Sequence, residues 1–135
     1  MFSLPVRIYW EDTDAGGVVY HAQYLAFMER ARSEWMRTHG HGQESLRLRH
    51  GLVFAVRAMT IDFLKPARLD DALDVTVELE ECRRASAVFR QSVLRGGERL
   101  LAATVRVASL DASRFRPMAM PPELHDHLKA LQAPS

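Results

Sequence analysis

The sequence predicts an α+β fold in which an antiparallel β-sheet wraps around one long central helix. Three observations predict it: a stretch of helical periodicity from Tyr20 to about His39, four strand-like segments after it, and one short strand-like segment before it. A chain of 135 residues can bury one respectable core and hardly two, so residues 1–135 read as a single domain.

The first strand is expected over residues 4–10, LPVRIYW, where β-branched and aromatic residues precede the turn-prone EDTDAGG. The helix that follows contains neither Gly nor Pro. Tyr24, Phe27, Met28, Ala31, Trp35 and Met36 recur along it at spacings of three and four, and Ala22, Leu25 and Ala26 widen that stripe. Gly40 and Gly42 supply its stop, and residues 43–50 form a brief second helix. Leu52 to Leu64 reads as a strand closed by Lys65-Pro66, because proline cannot donate to a central ladder. From Leu73 to Cys82 the pattern alternates, with Leu73, Val75, Val77 and Leu79 on a dry face and Asp74, Thr76, Glu78 and Glu80 on a wet one. Ser86–Leu94 and Arg99–Leu110 pair through Gly96-Gly97, a dipeptide that accepts the positive φ angles of a tight hairpin. The last four strands make an antiparallel run, and Glu123–Leu131 closes the chain as a small helix after Pro117, Pro121 and Pro122. With the helix as filling and the sheet as wrapping, this order is that of the hotdog fold.

Eighteen basic against seventeen acidic residues give a net charge of +1, which supplies no overall field to attract nucleic acid. The single cysteine, Cys82, rules out an intramolecular disulfide framework, and Arg7 interrupts the start where a secretory signal needs an apolar run. A reducing, cytoplasmic setting fits. No stretch approaches the roughly 20 apolar residues of a membrane span; even LLAATVRVASL contains Arg106.

Chemistry concentrates in residues 11–24, EDTDAGGVVYHAQY. Gly16 and Gly17 let a backbone approach a ligand closely, and the free N–H groups at a helix start attract negative charge. A thioester carbonyl becomes negative in its transition state, so donors fixed there stabilise the oxyanion more than the neutral carbonyl. Asp14 supplies a carboxylate for attack or proton abstraction. On spacing alone, an ordinary acidic turn before a helix is the better reading of the same residues.

The run RIYWEDTDAGGVVYHAQYLAFMERAR closely resembles the signature of the acyl-CoA thioesterases of the 4-hydroxybenzoyl-CoA thioesterase class, in particular the bacterial subfamily associated with the Tol-Pal envelope system. VFAVRAMTIDFLKPARLDD, at 53–71, resembles the second strand and loop of that subfamily. The resemblance implies that Asp14, the second aspartate of D-x-D-x-x-G, is catalytic, together with His21 seven residues on. It also implies that a backbone N–H near His21 polarises the carbonyl. Gly16, Gly17, Val19, Tyr20, Tyr24 and, on the second strand, Arg57 are the substrate-binding candidates. The implied partner is an acyl-CoA, with acyl carrier protein as an alternative acyl donor, and no metal or organic cofactor is expected. Members of this class are dimers or tetramers with shared sites, which agrees with the open strand edges of a small sheet. A hydratase or dehydratase on the same fold, or an acyl-CoA-binding scaffold, are the rival functions.

Other residues read more plainly. Cys82 has no histidine beside it in sequence and packs as a small apolar group. The serine elbow G-x-S-x-G, GxGxxG and a Walker loop are absent from the sequence. His39, His41 and His50 lack ligand partners at metal spacings, and His125 and His127 would splay apart on a helix. Arg57, Lys65, Arg68, Arg83, Arg84 and Arg90 are candidates to hold the phosphates of coenzyme A, though most belong to a solvated surface.

Overall fold

The computed structural model describes residues 1–134. Its elements are β1 (Phe2–Arg7), α1 (His21–Thr38), α2 (Gln43–His50), β2 (Leu52–Phe63), β3 (Ala72–Cys82), β4 (Ser86–Arg95), β5 (Glu98–Asp111) and α3 (Pro122–Ala130). All five strands belong to one antiparallel sheet in the order β1-β3-β4-β5-β2. The long helix packs on β3 and β1, which is the hotdog arrangement expected from the sequence.

The apolar stripe on α1 explains the burial. Tyr24, Phe27, Met28, Ala31, Trp35 and Met36 all lie in the core, against Val75, Val77 and Leu79 of β3 and Phe89 of β4. Each fully buried side chain of this size stabilises the fold by about 1.5–3 kcal/mol. Gly40 ends the helix at φ +82, and Gly96 and Gly97 turn the β4–β5 hairpin at φ +55 and +87, a pair of positive angles that other residues resist. Cys82 is buried, and burial pushes its thiol pKa up.

Four expectations need correction. The first strand lies over residues 2–7 rather than 4–10, because the Asp12 carboxylate takes the Tyr9 N–H and closes a 3-10 turn over Trp10–Asp12. A side-chain acceptor there competes with the ladder. The buried stripe of α1 is narrower than expected: Ala22 and Leu25 are exposed, since the sheet covers only one side of the helix's first turns. Thr76 is buried on the expected wet face, where its hydroxyl accepts the Ser92 N–H. Finally, β2 pairs with β5 and not with its sequence neighbour β3, whose free side is taken by β1. Among the described residues, no helix is long and apolar enough to cross a membrane.

Candidate active site

The segment between β1 and α1 is held from both ends by Asp12. Its Oδ2 accepts the Tyr9 N–H and its Oδ1 accepts Gln23 Nε2, each at 2.8 Å, while its backbone carbonyl accepts the Tyr20 N–H at 3.0 Å. Asp12 is buried and engaged, so it is an anchor for the loop.

Between these anchors the chain makes a miniature hairpin. Thr13 pairs with Val19, the Asp14 N–H donates to the Val18 carbonyl at 2.9 Å, and the Gly17 N–H donates to the Asp14 carbonyl at 3.0 Å. Gly17 adopts φ +80 at the close of this turn, which requires glycine. The Asp14 side chain is exposed, and its Oδ1 accepts the Gly16 N–H at 2.8 Å. Its Oδ2 has no protein partner among the described residues. One carboxylate oxygen is therefore oriented by the backbone and the other is available. A Cβ on Gly16 would come within 3.2 Å of Asp14 Oδ1, so glycine at 16 also gives the carboxylate its room.

The hairpin rests on the β2–β3 loop. The Val19 N–H donates to the Ala67 carbonyl at 2.9 Å, and Val18 bridges to Arg68. That loop is locked in turn by Asp71, whose Oδ2 accepts the Arg68 N–H and Arg95 Nη1, each at 2.8 Å. Partial burial opposes ionisation of Asp71, but these two donors and the Arg95 charge hold its carboxyl below the usual range.

α1 begins with Tyr20 as its N-cap residue, in an extended conformation. No side chain caps the first turn, and it contains no acidic residue. The Gln23 N–H turns back to the Tyr20 carbonyl, whereas the N–H groups of His21 and Ala22 have no hydrogen-bond partner among the described residues. Two free donors at the positive end of an 18-residue helix form a site for developing negative charge. His21 is exposed, with its ring 4.5 Å from that of the half-exposed Tyr20.

The structure thus gathers Asp14, Gly16, Gly17, Val19, Tyr20 and His21 at one end of α1. Tyr24 is placed differently from the expectation. It is buried, and its hydroxyl accepts the Ala67 N–H at 3.1 Å, so it fastens the helix to the β2–β3 loop; burial raises its pKa. Arg57 lies exposed at the irregularity between Val56 and Ala58 of β2, and no hydrogen bond or ion pair among the described residues joins it to the hairpin. Of the basic residues, Lys65 pairs with Glu98, Arg83 with Glu81, and Arg90 with Glu78 and Glu80. Arg68, set opposite Val18, is the basic residue that the fold brings against the hairpin.

Sequence reasoning missed the partnership of Asp12 with Gln23, eleven residues on, and the clamp formed by Ala67 and Arg68. The first had a weak signal in a polar residue on the otherwise buried side of the first turn. The second had none, being a contact between distant segments. Sequence also missed that His127 reaches His41, whose Nε2 lies 2.6 Å from His127 Nδ1. Among the described residues no cluster of three or more His, Cys, Asp or Glu side chains is placed to hold a metal ion.

The sequence profile of the thioesterase superfamily matches residues 16–102, beginning two positions after Asp14. An acyl-CoA thioesterase, YbgC, from Haemophilus influenzae is 47% identical over 131 residues, covering 95% of this chain and 96% of the relative. One of the same name from Helicobacter pylori is 31% identical over 134 residues, covering 93% and 98%. The crystal structure of a probable thioesterase from Bartonella henselae superposes with a TM-score of 0.83 at 35% identity, covering 89% of this chain and 98% of that one. The matched span holds the helix start and the clamp loop described above, and the chain belongs to the thioesterase superfamily.

Proposed function

We propose that the chain hydrolyses acyl-CoA thioesters to the free acid and coenzyme A, with Asp14 as the reacting carboxylate and the N–H groups of His21 and Ala22 as the oxyanion donors. The observation that carries this reading is the exposed Asp14 carboxylate, oriented by the Gly16 N–H, on the loop that leads into an uncapped helix start. A thioester lying across that start would direct its carbonyl oxygen to the free donors. Asp14 would then either attack the carbonyl carbon, giving an anhydride that water cleaves, or take a proton from a water that attacks directly. In both routes the thiolate leaves and is protonated; in the direct route water supplies the new oxygen of the acid, and in the anhydride route water adds its oxygen either to the acid or to the regenerated Asp14 carboxylate, according to which carbonyl it attacks. The imidazole of His21 orients the acyl group or assists the proton transfer, and Tyr20 forms the adjoining wall.

The curated relatives named for acyl-CoA hydrolysis, matched over nearly their whole length, support the choice of substrate. Short or medium acyl chains, or an aromatic acyl group, are the substrates to test first, and acyl carrier protein is the alternative donor. The loop carrying Arg68, with Arg57 contributed by a second copy, would meet the phosphates of coenzyme A.

The test is release of free thiol from a panel of acetyl-, octanoyl- and benzoyl-CoA by the purified chain. Release above the uncatalysed rate, with an acid produced for each thiol, is expected. Binding of every ester without thiol release would favour a scaffold, and conversion of the acyl group with the thioester intact would favour a hydratase.

A further inference from the structure

The tip of the miniature hairpin is held differently from its base. Asp12 ties the base to Tyr9, Tyr20 and Gln23. Among the described residues, by contrast, residues 14–18 hydrogen bond only with one another and across the Val18–Arg68 bridge. With the Val19 N–H on the Ala67 carbonyl, the returning limb of the hairpin has the β2–β3 loop as its outer neighbour. The placement of Asp14 relative to the helix start therefore follows the placement of residues 67 and 68.

That loop is itself under constraint. Asp70 stands at φ +70, a left-handed conformation that a residue with a Cβ keeps only where its surroundings impose it. Its N–H donates to the Ile8 carbonyl at 3.0 Å, and its carbonyl accepts Arg7 Nη1 at 2.9 Å. From the other side one side chain, Arg95 at the end of β4, reaches both flanks of the loop. Its Nη1 donates to the Pro66 carbonyl at 3.3 Å and to Asp71 Oδ2 at 2.8 Å, and its Nη2 donates to Glu98 Oε1 at 2.9 Å. Glu98 pairs in turn with Lys65 at 2.6 Å. Pro66 and Asp71 bracket Ala67 and Arg68, so the residues that carry the hairpin lie between two points held by one guanidinium. A planar fork of five donors can serve acceptors from separate segments at once. The Tyr24 hydroxyl, by comparison, gives the loop a single bond about which it could pivot. β4 lies between β3 and β5, and every one of these contacts is made within one protomer. Ion pairs as exposed as this one, with 32% of the Arg95 side chain accessible, add little stability, so the importance of this one is geometric.

We infer that Arg95 is a positioning residue for the reaction: through Asp71 and the Pro66 carbonyl it fixes the β2–β3 loop, and through that loop the Asp14 carboxylate relative to the N–H groups of His21 and Ala22. The inference rests on the assignment of the hydrolytic chemistry to Asp14. Among the described residues no hydrogen bond joins Arg95 to the hairpin itself, so its effect must travel through the loop. Its loss should act on kcat more than on KM. A flexible side chain such as Arg68 can follow a small shift of the loop, whereas a carboxylate that must meet a reacting atom cannot.

Arg95→Met tests this, with Arg37→Met as the control, since Arg37 makes an exposed ion pair with Glu34 at the other end of α1. In Arg95→Met the kcat for octanoyl-CoA is expected to fall by about tenfold or more, with a smaller change in KM and a melting temperature within a few degrees of the unaltered chain. Arg37→Met should keep its kcat within about twofold. Asp71→Asn keeps an acceptor for the Arg68 N–H and removes the charge that holds Arg95, so it should lose kcat as well. The double variant Arg95→Met/Asp71→Asn should lose no more than about twofold beyond the larger single loss, because both changes sever one path. Hydrogen exchange at the Val19 N–H, followed by NMR, should quicken by about tenfold or more in Arg95→Met and stay as it is in Arg37→Met. Unchanged kcat in Arg95→Met, unchanged exchange at Val19, or losses that multiply in the double variant would overturn the inference. Full activity of Asp14→Asn would remove the hydrolytic assignment, whereas the Val19 exchange reports the hold of Arg95 on the hairpin without any turnover, so the two failures are separately visible.

Discussion

Asp12 and Asp14 are the same residue type two positions apart, and their surroundings divide their roles. Asp12 is buried with both carboxylate oxygens engaged, whereas Asp14 is exposed with one oxygen held and the other without a partner among the described residues. The sequence could not separate an ordinary acidic turn from a reacting carboxylate, because both begin with an aspartate bonded to a nearby N–H. Asp14 does make such a turn with Gly16, and its Oδ2 has no partner among the described residues, as a reacting carboxylate would require. Gly16 therefore has a testable function. In Gly16→Ala the new methyl would lie 3.2 Å from Asp14 Oδ1 and displace it by a few tenths of an ångström. Turnover is expected to fall at least tenfold, since misplacement of a reacting group by about 1 Å can cost roughly a hundredfold. Thermal denaturation should change little, because Gly16 is exposed and has an ordinary φ angle. Unchanged turnover in that variant would show that the carboxylate does not need this position.

Element by element, local pattern was readable and long-range pairing was not. The three-and-four spacing of apolar residues gave α1 almost to its ends, and the Gly96-Gly97 dipeptide gave the β4–β5 hairpin. The placement of β2 beside β5 was hidden, since alternation within a strand carries no information about its neighbour. The same limit hid the Tyr24 hydroxyl's use by Ala67 and the meeting of His41 with His127, 86 residues apart. The second contact joins the turn after α1 to α3 and has a pH consequence. Burial, then the neighbouring His127, Arg49, His39 and His50, hold His41 below its ordinary pKa of 6.5. As pH falls through that value the unfolded chain takes up this proton before the folded chain does. Stability is thus full above about pH 6.5 and declines below it. The melting temperature should drop between about pH 7 and pH 5, and His41→Gln should flatten that slope. An equal slope in the variant would assign the acid sensitivity elsewhere.

On the scale of the whole molecule, the two edges of the sheet differ. β1 is six residues long and contains Pro5, whereas β2 is twelve residues long, contains neither Gly nor Pro, and exposes Val56 and Phe63. A long open edge of this kind invites strand pairing, so β2 is where a second copy should join. Two copies related by a two-fold axis at this edge would extend the sheet from β2 of one to β2 of the other. Sedimentation equilibrium at micromolar concentration should give at least a dimer, and Val56→Asp should shift it toward monomer with a loss of turnover. A fully active monomer would remove the shared site. Everything in this scheme converges on one carboxylate. Turnover of octanoyl-CoA by Asp14→Asn, compared with the unaltered chain at equal thermal stability, is the decisive quantity. The expected result is a loss of roughly 10²–10⁴-fold, the scale of removing a general base, with more if Asp14 is the nucleophile. Activity within a few fold of the unaltered chain would contradict the assignment of the hydrolytic chemistry to Asp14.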